Sequence, residues 1–222
     1  MLRILIIILL TASSALANNE TYWAVDIPVM QGATNVSVER NEKFYTVSTS
    51  YELMISDPEK IYDFYNEFFK KIGWENPMKK FPRQKNEIQS KWSSFQSKFN
   101  QNGLPESYYG SMWEAQTIPA IGAVNLTLTS YDGEKFKTKV KVSLSPDIDT
   151  SSLFQLQSLM TGDPRNIFIL HEATGGNPFE IDKINPTPSS EHKNNKMVME
   201  YYSLVEQIFM QYQDFGTKYI HK

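Results

Sequence analysis

Apolar and polar residues alternate strictly through Tyr45, Val47, Thr49, Tyr51, Leu53 and Ile55, which places these six on one face of an extended segment. Val36 and Val38 alternate with polar neighbours just before them, and Asn41-Glu42 supplies the turn of a hairpin. The period then changes. Ile61, Phe64, Tyr65, Phe68, Phe69 and Ile72 fall at offsets 0, 3, 4, 7, 8 and 11, the single stripe of an amphipathic helix. Lys60, Asp63, Glu67, Lys70 and Lys71 take the opposite side. Ser56 and Glu59 have capping-box spacing, and Pro58 sits in the first turn, where its missing N–H goes unnoticed. Gly73 ends the helix in a left-handed conformation and lets Trp74 fold back onto the last turn. On this stripe Phe68 is a core residue worth roughly 3–5 kcal/mol against alanine, whereas Tyr62 lies off it and faces water.

Beyond Asn76 the pattern weakens. Ile88, Trp92, Phe95 and Phe99 have helical spacing and Gly103 follows as a stop, which predicts a second helix; Trp113 to Ile118 reads as a short strand before Pro119. Alternation returns in Val124, Leu126 and Leu128, and again in Phe136, Val140, Val142 and Leu144, with Asp132-Gly133 as the hairpin turn and Pro146 as the end. Such strands have one wet face, as in an antiparallel sheet covered on a single side. Ser152 to Met160 is a short helix, Ile167 to Leu170 a buried strand, and Ala173 to Asn195 a long Gly-, Pro- and Asn-rich loop. A last helix over Lys196 to Phe215 has Val198, Tyr201, Tyr202, Val205, Ile208, Phe209 and Tyr212 on one stripe, with Gly216 as its stop. No internal repeat occurs. The fold class expected is α+β, an antiparallel sheet with helices packed on one face.

The first residues change the picture of where this domain works. Arg3, the apolar run Ile4 to Leu10 and the small residues of Ala15-Leu16-Ala17 have the form of a secretory signal peptide cleaved after Ala17. The apolar run stops well short of the roughly 20 residues a spanning helix needs. The expected organisation is therefore a signal peptide over 1–17 and one soluble α+β domain over 18–222, loop-rich from about residue 147. The chain has no cysteine. That removes lipoprotein anchoring, disulfides, thiol catalysis and cysteine-held metals, and leaves the core to stabilise an exported protein. Hydrophobic residues make up 41% of the chain, enough for such a core. The expected location is the periplasm or the exterior of a bacterial cell, with no membrane anchor after cleavage. Loss of Arg3 would move the net charge from −3 to −4, which argues against a nucleic-acid partner. The lysines at 70, 71, 79, 80 and 85, with Arg83, read as a solvated rim.

Pro28, Gly32 and Ala33 lead into the first hairpin, and Phe64, Tyr65, Gly73 and Trp74 mark the helix and its stop. In these positions the chain resembles a loose class of exported bacterial proteins of unknown function, from about Ile27 to Trp74 and more loosely through the hairpin to Pro146. The resemblance implies an exported α+β module. It brings no activity and no catalytic residue.

Chemistry is sparse. Gly-x-Ser-x-Gly is absent, so a serine elbow is not expected. His171-Glu172 opens like a His-Glu-x-x-His helix, but Gly175 stands where the second histidine belongs; His192 and His221 are far along the chain. Asp147, Asp149, Asp132 and Glu134 match no calcium loop. Neither glycine-containing stretch has phosphate-loop spacing. Asn35-Val-Ser and Asn125-Leu-Thr are glycosylation sequons without meaning in a bacterial chain. The expectation is no catalytic residue, no metal and no cofactor. Trp92, Tyr108, Tyr109 and Trp113 are the candidate binding residues, since aromatic faces suit sugars and peptides; the plainer use of the same rings is to cover one end of the sheet. The function expected is an exported, non-enzymatic module that binds a protein or cell-envelope component. The alternative is a hydrolase of envelope polymers or peptides using unidentified carboxylates, and a third possibility is a structural subunit of an envelope assembly.

Overall fold

The structure, a computed structural model, describes residues 19–54, 57–77, 91–132 and 135–221. The leader, Ile55, Ser56, the basic residues at 79–85, Ile88 and the Gly133-Glu134 turn lie outside the described residues.

Seven strands form one antiparallel sheet: β1 (Thr34–Asn41), β2 (Thr46–Leu53), β3 (Trp74–Glu75), β4 (Ser94–Phe99), β5 (Pro105–Ala115), β6 (Ala120–Asp132) and β7 (Lys135–Pro146). Their order is β1-β2-β7-β6-β5, with β3 and β4 both paired to the outer edge of β5. Together with four α-helices among the described residues this is the expected α+β fold. The alternation in β2, β6 and β7 is borne out: Val47, Tyr51 and Leu53, Val124, Leu126 and Leu128, and Val140, Val142 and Leu144 are all buried.

Helix α1 (Pro58–Lys71) lies across that buried face. Its N-cap is Asp57, one residue later than the capping-box spacing suggested; the Asp57 carboxylate accepts hydrogen bonds from the Glu59 and Lys60 amides at 3.1 and 3.4 Å. Gly73 takes the left-handed conformation expected of it, at φ 77°, and the Trp74 ring stacks on Phe69 at 5.7 Å. The register places Gly122 between Leu144 and Trp113 in one row of the buried face. The ring of Phe69 fills the gap that Gly122 leaves, so close that a β-carbon there would stand 2.1 Å from it. Phe69 also stacks on Trp113 at 4.5 Å. Tyr51 and Tyr65 share a buried hydroxyl–hydroxyl bond of 2.8 Å, and Tyr65 donates onward to the Pro28 carbonyl at 2.9 Å. The Pro28 stretch is thereby pinned to the helix.

This seat rotates α1 from the position its stripe predicted. Tyr62, expected in water, is 6% exposed; it packs on Trp92 and Trp113 at 5.5 and 5.4 Å and accepts a 3.0 Å hydrogen bond from Asn76. Phe64, Phe68 and Ile72 are only partly buried at the margin.

Further expectations are overturned. Ser94–Phe99 is strand β4, not helix: Phe95 and Phe99, four apart, share a strand face as well as a helix face, and Asn100 and Gly103 form a turn back into β5. The Asn100 side chain accepts from the Asn102 and Leu104 amides, both at 2.9 Å, and Gly103 has φ 71°. Strand β5 runs from Pro105 rather than Trp113. Ile167–Leu170 lies inside helix α3 (Pro164–Thr174), opened by the Asp163 cap and closed by left-handed Gly175.

Helix α2 (Ser151–Thr161) and α4 (Lys196–Phe215) match their expected spans within a residue. Helices α2, α3 and α4 build a second core around Leu156, Met160, Leu170, Tyr201, Val205 and Ile208. Gly216 is no stop; it is right-handed and runs into a π-helical turn, Gly216–Ile220. What requires glycine there is the Tyr45 ring, whose hydroxyl would stand 2.1 Å from a β-carbon at 216. Phe215 and Ile220 join the first core, so the end of α4 ties the two cores together.

Two outcomes follow from the seat of α1. Gly122→Ala should destabilise the protein by roughly 1–3 kcal/mol in urea unfolding, through overpacking against Phe69, although alanine is the better strand residue. Tyr62→Ala should lose about 3–5 kcal/mol, as a buried aromatic does, and Phe68→Ala clearly less; the reverse order would show that the helix sits as its stripe predicted.

Candidate functional site

A half-open groove of about 610 Å³ lies between α4, the segment 181–186 and the β1–β2 turn. One side of α4 fills the second core; the adjacent side, with Met199, Tyr202, Val205 and Phe209, lines the groove opposite Ile181 and Ile184. Lys43, Asp182, Glu206 and Gln213 supply a polar rim. Local chemistry sets each wall. Asn195 caps α4 by accepting from the Met197 and Val198 amides at 3.0 and 3.4 Å. The long loop is stitched to the helices: the Asn185 and Ser189 amides donate to Thr174 and Ala173 carbonyls at 3.0 and 2.9 Å, and Tyr201 and Tyr202 donate to the Pro178 and Asn185 carbonyls at 2.8 and 3.1 Å. Burial pushes both tyrosine hydroxyls above their ordinary pKa, so they stay protonated donors. At the far wall Phe44 stacks on Phe209 at 5.3 Å and packs at a tilt against Tyr212 at 4.7 Å. Asn41 donates to the Asp182 carboxylate at 3.0 Å, and Lys43 to the Asp182 carbonyl at 3.1 Å.

A second surface is the uncovered face of the sheet. Two rows of side chains cross it: Ser50, Lys141, Asn125 and, beyond Gly110, Ser94; then Glu52, Lys139, Thr127, Tyr108 and Gln96. A shallow trough of about 440 Å³ lies over β2, β7 and β6. Lys137 pairs with Glu52 at 2.7 Å and Asn35 donates to the same carboxylate at 2.6 Å; the Lys137 and Asn35 bonds hold Glu52 below the usual carboxylate range.

The four aromatic candidates do not form one surface. Trp92 and Trp113 are 2% and 0% exposed, inside the core around Tyr62 and Phe69. Tyr109 half-covers the same core, packed on Trp92 and Phe95 at 5.4 and 5.0 Å. Tyr108 alone lies on the uncovered face, its hydroxyl donating to Glu106 and the Lys98 ammonium 4.8 Å from its ring. The histidines stay apart: His171 is exposed on α3, His192 lies 3.5 Å from Glu172, and His221 is hydrogen-bonded to the Tyr45 hydroxyl at 2.9 Å. Among the described residues no three His, Cys, Asp or Glu side chains converge, and no helix is long and apolar enough to cross a membrane.

A glycosidase-type general acid needs a raised carboxyl pKa. Glu52, Glu67, Glu106, Asp149 and Asp163 are shifted the other way, each by hydrogen bonds that favour the charged form. Asp163 goes furthest, to about 2, held by Arg165. Asp149 instead receives the Ser151 amide and hydroxyl at 2.9 and 2.8 Å, next to the start of α2.

Neither surface stood out in the sequence. The available signals were Ile181 and Ile184 in a Gly-, Pro- and Asn-rich loop, Met199 off the core stripe of α4, and lysines at alternate positions from Lys135 to Lys141. Comparison with protein families, with curated proteins and with solved structures finds no match to this chain.

The Asp182 bonds make one wall of the groove depend on the β1–β2 turn. Removing both with Lys43→Ala and Asp182→Ala should speed amide hydrogen exchange across residues 181–186 at least tenfold and leave the exchange of β6 and β7 unchanged. Unchanged exchange at 181–186 would mean the loop is held by its helix bonds alone.

Proposed function

We propose that this protein is an exported, non-enzymatic module that binds a protein partner of the cell envelope, and that the groove along α4 receives a segment of that partner. The observation that carries the reading is the groove itself, with aliphatic and aromatic walls, a rim that mixes Lys43 with Asp182 and Glu206, and room in the range of small-ligand and peptide sites. Between Met199 and Gln213 it follows α4 for about 20 Å at the helical rise, a length suited to an extended segment of about six residues. Met199 is 46% exposed at one end, a flexible apolar contact of the kind binding surfaces favour. Export rests on the form of the leader.

The test is affinity capture from an envelope extract with the exported form of the full chain, alongside Met199→Glu and Ser203→Arg. Both positions are exposed, so both variants should melt as the parent does. One partner recovered repeatedly by the parent and depleted at least tenfold with either variant is the expected result. Equal recovery by all three, or no recurrent partner, overturns it; release of new sugar or peptide ends from the extract would put the hydrolase in its place.

A further inference from the structure

We propose that the uncovered face of the sheet is a second binding site, independent of the groove, for a linear anionic polysaccharide. Three observations meet there. The first is charge. Residues at alternate positions of one strand share a face, so Lys137, Lys139 and Lys141 point outward in a row at about 7 Å intervals. Among the described residues Glu52 is the one carboxylate lining the trough, and Lys137 already pairs with it. Lys139 also lies near enough to lower the Glu52 pKa, yet Lys139 and Lys141 make no ion pair among the described residues and are exposed. The trough thus has an excess of positive charge on a chain whose net charge is −3.

The second is hydrogen-bonding character. Asn35, Ser50, Asn125 and Thr127 surround the two lysines with amides and hydroxyls that both donate and accept, as sugar hydroxyls require. Tyr51 and Val140 border the trough only through their backbone, their side chains being in the core on the other side. A lipid surface would need apolar side chains to insert, and the trough presents none. A nucleic acid would need a broader basic field and stacking rings, whereas Tyr108 on this face has its hydroxyl tied to Glu106 and the Lys98 ammonium 4.8 Å from its ring.

The third is shape. Gly110 carries no side chain, and a β-carbon there would meet the Ser94 hydroxyl at 2.6 Å and the Asn125 amide oxygen at 3.3 Å. The Ser94 and Asn125 side chains close over the buried Gly110, so the Ser50–Lys141–Asn125 row continues to Ser94 without a gap. A chain laid along this row meets hydroxyl, ammonium, amide and hydroxyl in turn. A carboxylate or sulfate on the sugar takes the ammonium, and the neighbouring ring hydroxyls take the amide and serines.

The test titrates the protein with three polymers, polygalacturonate, dextran sulfate and neutral dextran, by calorimetry at low and at physiological salt. Polygalacturonate should bind and neutral dextran should not; comparison with dextran sulfate tells whether carboxylate or sulfate is preferred. The double change Lys139→Ala with Lys141→Ala should weaken binding at least tenfold. Asn125→Ala should weaken it about threefold or more, and Lys193→Ala, an exposed lysine elsewhere, should leave it unchanged. Equal weakening by Lys193→Ala, or indifference to Asn125→Ala, would reduce the face to an ion exchanger and overturn the proposal. So would failure of both acidic polymers to bind, or tighter binding of duplex DNA. Met199→Glu and Ser203→Arg should not touch polysaccharide binding, so failure of the groove reading and failure of this one are told apart.

Discussion

The seat of Phe69 on Gly122 sets the position of α1, and α1 decides what the rest of the sheet becomes. Most strand positions carry a β-carbon that keeps a helix at a distance. At Gly122 that atom is missing, and a whole phenyl ring descends between Leu144 and Trp113, with Trp74 closing the other side. Stacked rings in such a hole have one fit. The helix is thereby fixed in rotation as well as height, which is why Tyr62 turns inward onto Trp92 and Trp113 while Phe68 is left at the margin.

With one face committed to α1 and the N-terminal segment, the other face needs cover or polarity. The C-terminal helices do not supply cover, because they pack on one another around Tyr201 and Ile208. They reach the sheet through the end of α4, where Phe215 meets Tyr22 at 6.1 Å and Gly216 admits the Tyr45 ring, and through Phe44 on Phe209. Tyr45 is held in the turn with φ 49°, and its carbonyl accepts from Tyr22 at 2.7 Å. One hairpin turn therefore carries the joint between two cores and one wall of the groove.

How much of this the sequence revealed depends on how local each signal was. Alternation in β2, β6 and β7 identified a one-sided sheet because period two has no helical equivalent over that length. The Phe95–Phe99 spacing fits either element, and only the turn made by Asn100 and Gly103 decides between them. Ile167–Leu170 looked like a strand because four apolar residues are too few to show a period, although Asp163, Pro164 and Gly175 marked a helix around them. Tyr62 failed for a different reason: a stripe gives a helix's moment, and the hole at Gly122, sixty residues away in the chain, gives its actual rotation. The groove depends on loop-to-helix bonds such as Tyr202 to Asn185, for which residue spacing holds no record.

The two exposed surfaces differ in what supports them, and that bears on what each is suited to take. The uncovered sheet face is backed by strands locked in register on both sides of β7, so its side chains stand on a fixed grid and favour a regular, repeating ligand. The groove has one rigid wall, α4, and one wall made of loop, fastened by a few hydrogen bonds near the surface. Such bonds open at far lower free energy than a central strand pair. A surface that adjusts in this way suits segments of varied side-chain size, and Met199 and Phe209 on the fixed wall then supply the apolar contact that does not need adjusting.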